Sequence, residues 1–288
     1  MKKKLPFAAT ALGVSMVLGA CAEDEATTEE KLGEVNLAYV EWDTEIASTH
    51  VIGQVLENIG YDVTLTPLDN AIMWEAVSKG EADAMVAGWL PATHAAQLDK
   101  YGENLVHLGE NLTGAKIGLV VPSYMDVNSI EDLTTEAGST ITGIEAGAGV
   151  MSATEAAIGN YPNLANWELL PSSSGAMTVA LDQAIANEEE IIVTGWSPHW
   201  KFASYDLKYL EDPQGVFGGE ETINTFVRQG LEEDAPDAYK VLDAFNWTAE
   251  DIEEVMLAIN GGKNPEEAAT DWINANAEKV KEWTQGIE

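Results

Sequence analysis

The motif Gly-Trp-x-Pro occurs twice in this chain, each time directly after a short apolar run. Gly88-Trp89-Leu90-Pro91 follows residues 82–87, and Gly195-Trp196-Ser197-Pro198 follows residues 190–194. This repeat constrains the fold most, because the pattern around it repeats too. In the first copy, residues 35–40 read as a strand, and Thr44 is placed to cap a helix with Ile46, Val51, Ile52, Val55, Leu56 and Ile59 on its apolar face. A strand over 61–66 and a helix over 71–79 precede the apolar run. In the second copy, strand signals at 140–144 and 167–170 alternate with helix signals at 152–159 and 176–186. Trp42 lies 47 residues before Trp89, and Gly149 lies 47 before Trp196. The pattern predicts two α/β units built alike, each a mostly parallel sheet flanked by helices.

In such sheets ligands sit beyond the carboxyl ends of the strands. Both Gly-Trp-x-Pro turns and both first loops (41–43 and 146–150) fall at those ends, so facing units would gather four loops around one cleft. Residues 116–121 and 222–229 are the candidate crossing strands, and the helical segment 234–283 is expected to pack back on the first unit. The expected organisation is lobe I over 35–120 and 228–288, and lobe II over 121–227.

The N-terminus has a different character. Lys2, Lys3 and Lys4 precede an apolar run to Gly19, too short and too rich in small residues for a membrane span. Residues 1–20 therefore read as a signal peptide. Leu18-Gly19-Ala20-Cys21 resembles the bacterial lipobox, in which the cysteine is lipidated and becomes the first mature residue. Cys21 is the only cysteine, which excludes disulfides within the chain and cysteine-based metal sites. Residues 22–34 have little to bury and read as a solvated tether.

The formal net charge of −35 argues against a nucleic-acid partner, since phosphate binding needs clustered Lys and Arg. The acids are spread over the predicted helices. Adaptation to a saline or alkaline exterior and drift of lineage composition both account for them.

Nine tryptophans must be placed. Trp247, Trp272 and Trp283 lie in the C-terminal helical segment, and Trp74 and Trp167 in inner elements; all are assigned to packing, and Trp200, near enough to Trp196 to line the same region, is assigned there too in preference to the site. Trp42, Trp89 and Trp196 instead stand on loops just past strands, at the expected cleft. Several indole faces aimed at one point suit a cation that cannot donate hydrogen bonds, such as a quaternary ammonium. Gly147-Ala148-Gly149-Val150-Met151 opens a helix whose N-terminal N–H groups suit an anion, although an ordinary strand-to-helix turn has the same look. Together the two features describe a zwitterion. His94 could donate to its carboxylate, or be an ordinary capping histidine.

These segments, Val40-Glu41-Trp42-Asp43, Gly88 to His94, Gly147 to Met151 and Gly195 to Trp200, resemble the motifs of glycine betaine-binding proteins of osmoprotectant ABC importers. The resemblance covers nearly the whole mature chain. It implies the two-lobed, type II periplasmic-binding-protein-like fold, no cofactor and no metal, and a membrane permease and ATPase as partners. It also implies a box of Trp42, Trp89 and Trp196 around a trimethylammonium group, with the carboxylate held by the Gly149 and Val150 amides and by His94. The half order here is opposite to that of some relatives, a circular permutation that bears on lobe boundaries. Choice among glycine betaine, proline betaine, carnitine, choline and sulfonium analogues stays open.

Three other readings remain at this stage. An extracellular enzyme would need a catalytic pairing, and neither a His-Glu-x-x-His nor a Gly-x-Ser-x-Gly motif occurs. A carbohydrate site would need amide and acid side chains beside the rings. A ligand sensor is not distinguished from an importer component by sequence.

Overall fold

Apolar residues continue through 84–90 on both faces, as a parallel strand covered by helices requires, whereas 61–67 alternates and leaves one face exposed. The computed structural model describes residues 31–287; the leader, Cys21 and all but the end of the tether lie outside them. The first half runs β1 (Gly33–Tyr39), α1 (Asp43–Asn58), β2 (Tyr61–Pro67), α2 (Asn70–Lys79), β3 (Ala84–Leu90), α3 (Ala95–Tyr101) and β4 (Leu105–Pro122). The second half runs β5 (Thr140–Thr142), α4 (Gly149–Asn160), β6 (Glu168–Leu170), α5 (Ser174–Ala186), β7 (Val193–Ser197), α6 (Lys201–Ser204) and β8 (Leu207–Tyr209). The chain closes with β9 (Glu221–Arg228), α7 (Leu231–Asp234), α8 (Pro236–Ala244), α9 (Ala249–Asn260), α10 (Pro265–Ala275) and α11 (Ala277–Trp283).

The strands connect in the order β2-β1-β3-β9-β4-β7-β5-β6, with β8 on β4. β2, β1 and β3 are parallel, as are β6, β5 and β7. Each parallel trio ends against an antiparallel neighbour, β3 on β9 and β7 on β4. This is the two-lobed α/β fold of periplasmic binding proteins, with the same sheet built twice. β4 belongs to both halves: residues Leu105 to Ala115 pair with β9, and Lys116 to Val120 pair with β7.

Several local expectations change. β9 pairs with β3 and β4 from Glu221 onward, so by pairing the chain is back in the first sheet at 221 rather than 228, and only β4 is shared between sheets. The Gly-Trp pairs are strand residues and not turn residues. Trp89 pairs with Ile223, and Trp196 with Ile117, so an antiparallel partner extends each strand through its tryptophan. β7 accordingly covers Val193–Ser197 instead of 190–194. α1 starts at Asp43 with Trp42 at its N-cap, and the Thr44 hydroxyl bonds Glu45 in place of a backbone cap. Helices α8, α9 and α10 pack against α1, on the first half. There Trp247, Trp272, Trp283 and Phe245 form a buried aromatic cluster.

Candidate binding site

The site is built where β3, β7 and the starts of α1 and α4 meet. One cavity is lined by Trp42, Trp89, His94, Gly149, Val150 and Trp196, together with Thr44, Thr93, Ile117, Ile144 and Ala148. All six residues singled out from sequence thus stand around one space, three from the first half (Trp42, Trp89, His94) and three from the second-half elements β7 and α4. No charged side chain is in the lining.

Local chemistry fixes the state of His94. The Trp89 backbone N–H donates to His94 Nδ1 at 3.0 Å, so Nδ1 has no proton and the neutral ring carries it on Nε2. That Nε2 is buried and has no acceptor among the described residues. Burial pushes the imidazole down to about 3, with the Ala87 backbone offsetting only part. His94 therefore stays neutral at physiological pH and offers one N–H. Its ring also stacks 6.2 Å from Trp42 and meets the edge of Trp74 at 5.7 Å.

α4 begins at Gly149 with Ala148 at its N-cap. The Met151 and Ser152 N–H groups return to the Ala148 carbonyl, but those of Gly149 and Val150 have no acceptor among the described residues. Two free donors at a helix N-terminus face any anion with the positive end of the helix dipole. Glycine at 149 is a steric requirement: a Cβ there would lie 2.4 Å from Thr93 Cγ2 and 2.5 Å from the Thr93 carbonyl oxygen.

Two of the three indoles are held from behind by carboxylates. Trp89 Nε1 donates to Glu45 at 2.8 Å and Trp42 Nε1 to Glu145 at 3.1 Å. Trp196 Nε1 has no partner among the described residues; instead Lys201 Nζ sits 4.4 Å from the Trp196 ring centroid. Trp200, assigned to packing, lies outside the cavity lining and donates to Asp43 at 2.7 Å. Asp43 also accepts from the Ser174 hydroxyl at 3.0 Å and lies 3.4 Å from His199 Nε2. Burial opposes ionisation of Asp43, but His199, Trp200 and Ser174 outweigh it and hold the carboxyl well below the usual range. Asp43 to Ser174 and Trp200, Trp42 to Glu145, and Asn70 Nδ2 to the Gly147 carbonyl at 3.3 Å all join the first half to the second.

Sequence reasoning missed Asp43, Glu45 and Glu145 as supports of the aromatic residues. One signal was present: Glu45 interrupts the otherwise uncharged inner face of α1 immediately after a cleft loop.

Two matched lobes presenting strand-end tryptophans to a shared cavity define a solute-binding protein of the periplasmic-binding class. A family model described as the substrate binding domain of ABC-type glycine betaine transport systems matches residues 33–275, and the chain belongs to that family. It is 54% identical over 159 residues to the glycine betaine/carnitine transport binding protein GbuC of Listeria monocytogenes; the match spans 55% of this chain and about half, 53%, of that protein. The closed, glycine betaine-bound crystal structure of lactococcal OpuAC superposes with a TM-score of 0.86 at 56% identity, covering 89% of this chain and 100% of that one. The glycine betaine/L-proline-binding protein ProX of Borrelia burgdorferi gives a TM-score of 0.85 at 36% identity, over 88% of this chain and 97% of that one. Family and relatives are transport binding proteins and not enzymes.

Proposed function

We propose that this protein captures glycine betaine, or a close quaternary-ammonium zwitterion, outside the cytoplasm and delivers it to the permease and ATPase of an ABC importer. The observation that carries this reading is the cavity itself. Three indole rings (Trp42, Trp89, Trp196) and three N–H donors without acceptors (Gly149, Val150 and His94 Nε2) meet around one space whose lining has no charged side chain. The rings hold a methylated ammonium by cation–π attraction, and the N–H groups donate to a carboxylate. A sugar would want acid and amide side chains beside the rings, and the lining holds none.

The bonds between the halves belong, in this reading, to the closed state that ligand favours. Lobe I comprises the β2-β1-β3-β9 sheet with its helices, and lobe II the β7-β5-β6 sheet, with β4 as the shared strand. Lipidation at Cys21 holds the mature protein at the outer face of the membrane, and residues 22–34 tether the binding unit to it.

The test is titration with glycine betaine, dimethylglycine, sarcosine and glycine. These share a carboxylate and differ in N-methylation. Each removed methyl exposes an N–H that the rings cannot match, at a cost of about 1–3 kcal/mol. Affinity should fall at least about tenfold at the first step. Equal affinity for dimethylglycine and betaine would refute an aromatic cage around the ammonium.

A further inference from the structure

Glu45 is fully buried on α1, directly behind the cavity wall. One carboxylate oxygen accepts the Trp89 indole N–H at 2.8 Å, and the other accepts the Thr44 hydroxyl. Among the described residues no lysine, arginine or histidine nitrogen lies within ion-pair distance of it. Buried carboxylates are ordinarily paired with a cation, because desolvating one alone is costly. Here Glu45 lacks a cation of its own, and its nearest neighbours Thr44 and Trp89 line a cavity that also lacks one.

We propose that Glu45 is the counter-charge of the cavity, a positioning residue that fixes the Trp89 ring and, when ionised, selects a cationic ligand head over a neutral one of the same shape. The inference rests on the reading of the site as a quaternary-ammonium pocket. Glu45 reaches the ligand through Trp89 and Thr44. An anion hydrogen-bonded to the indole N–H pushes negative potential toward the ring face where the cation sits, and its own field adds to this.

In this conformation Glu45 is held in a state that a cation can shift. Burial pushes the carboxyl up to about 7, the hydrogen bonds from Thr44 and Trp89 oppose that, and the field of Asp43 adds to it. The groups around it are few. Asp43 stands on the same helix, His94 shares the cavity wall and is neutral, and Glu145 lies behind Trp42. Across the cavity stand Lys201 and His199, and burial lowers both, to about 7 and about 4. Arrival of a trimethylammonium group favours the carboxylate, so a protonated Glu45 gives its proton to the buffer as ligand binds. Affinity then weakens as pH falls through about 7. Lys201 titrates in the same window and must be separated from Glu45.

The experiment is isothermal titration at pH 6 and pH 8.5, in buffers of different ionisation enthalpy. Two ligands are compared: glycine betaine and 3,3-dimethylbutyrate, which has the same carboxylate and a neutral tert-butyl head. Wild-type protein should bind betaine up to about tenfold more weakly at pH 6, with release of up to about one proton. Glu45→Gln keeps an acceptor for Trp89 and removes the charge. It should lose betaine affinity by about tenfold or more at pH 8.5, lose the pH dependence, and bind dimethylbutyrate no more weakly than wild type does. Lys201→Met should keep the pH dependence. A Glu45→Gln protein that loses both ligands alike would mean a merely structural role and overturn the inference, as would pH dependence that survives in Glu45→Gln or vanishes in Lys201→Met. Wild-type binding of betaine with neither pH dependence nor proton release would overturn it without any variant. Failure of wild type to bind any trimethylammonium ligand would instead sink the reading of the site.

Discussion

Gly149→Ala separates closing from folding. The added Cβ would stand 2.4 Å from Thr93 Cγ2 and 2.5 Å from the Thr93 carbonyl oxygen. Ordinary van der Waals contact needs roughly 1 Å more. The methyl of Thr93 could turn, but its carbonyl is backbone, and the turn carrying it is anchored: the Ala92 and Thr93 N–H groups both donate to Glu221 Oε1 at 2.7 Å. Relief therefore comes from moving α4 away from the turn after β3, which separates the two halves at the cavity. Overpacking of this kind costs about 1–3 kcal/mol. That cost falls on the closed form alone, and it corresponds to a loss of betaine affinity of about 5- to 150-fold. The N–H of residue 149 remains, so the loss is steric and not a missing donor. In the open form the methyl is free, and alanine suits a first helical turn at least as well as glycine. The assay is titration calorimetry paired with thermal unfolding. Ligand-free Tm should match or slightly exceed wild type, while betaine affinity and the betaine-induced rise in Tm both shrink. Wild-type affinity in the variant would show that Thr93 and Gly149 are not in contact when ligand is bound. A large fall in ligand-free Tm would show that they are in contact throughout.

His94→Ala removes the only side-chain N–H proposed for the carboxylate; betaine should bind about 1.5–3 kcal/mol more weakly, while choline, which has no carboxylate, should change far less in the same titration. Glu45 also makes a stability prediction. Its carboxyl is raised from 4.5 to about 7 in the folded protein, so between those values the folded state keeps a proton that the unfolded chain releases. Its contribution is thus favourable in acid and lost as pH rises from 4.5 to about 7. Glu45→Gln should remove up to about 3 kcal/mol of this decline, read by denaturant unfolding of ligand-free protein at pH 5 and pH 8. Cys21→Ser should release the protein from the membrane fraction with betaine affinity unchanged; a variant that stays membrane-bound would refute lipidation at that residue.

How much of this was legible in the sequence depended on the range of the interaction. The alternation of strands and helices, and the loops that reach the cavity, come from local periodicity and from apolar runs ended by turn residues, and these survive without tertiary information. The strand limits do not. Gly88-Trp89 and Gly195-Trp196 have the composition of turns and became strand because β9 and β4 supply antiparallel partners from distant sequence. Thr44 has the look of an N-cap, but its hydroxyl is taken by buried Glu45, a choice made by the cavity wall and not by the helix. Trp200 was readable as packing, yet its bond to Asp43, 157 residues away, has no trace in local pattern. The tautomer of His94 was equally out of reach, since it follows from the Trp89 N–H of β3, against which the following turn sets the ring.

β4 carries its irregularity on one side only. Its ladder with β9 shifts register between His107 and Gly109, between Glu110 and Leu112, and between Thr113 and Ala115, whereas its ladder with β7 from Lys116 to Val120 runs without a shift. Gly109 and Gly114, within that stretch, have positive φ of 121° and 79°. Bulges bend a strand and weaken its ladder locally. Mechanically, β4 is a beam with uneven stiffness, clamped firmly in the second sheet and notched just inside the first. In the proposed closure, torque between the two halves would fall first on these notches. On that proposal the second half would rock as one rigid lever, keeping Trp196, Gly149 and Val150 in fixed relation to each other while the distance to Trp42, Trp89 and His94 changes.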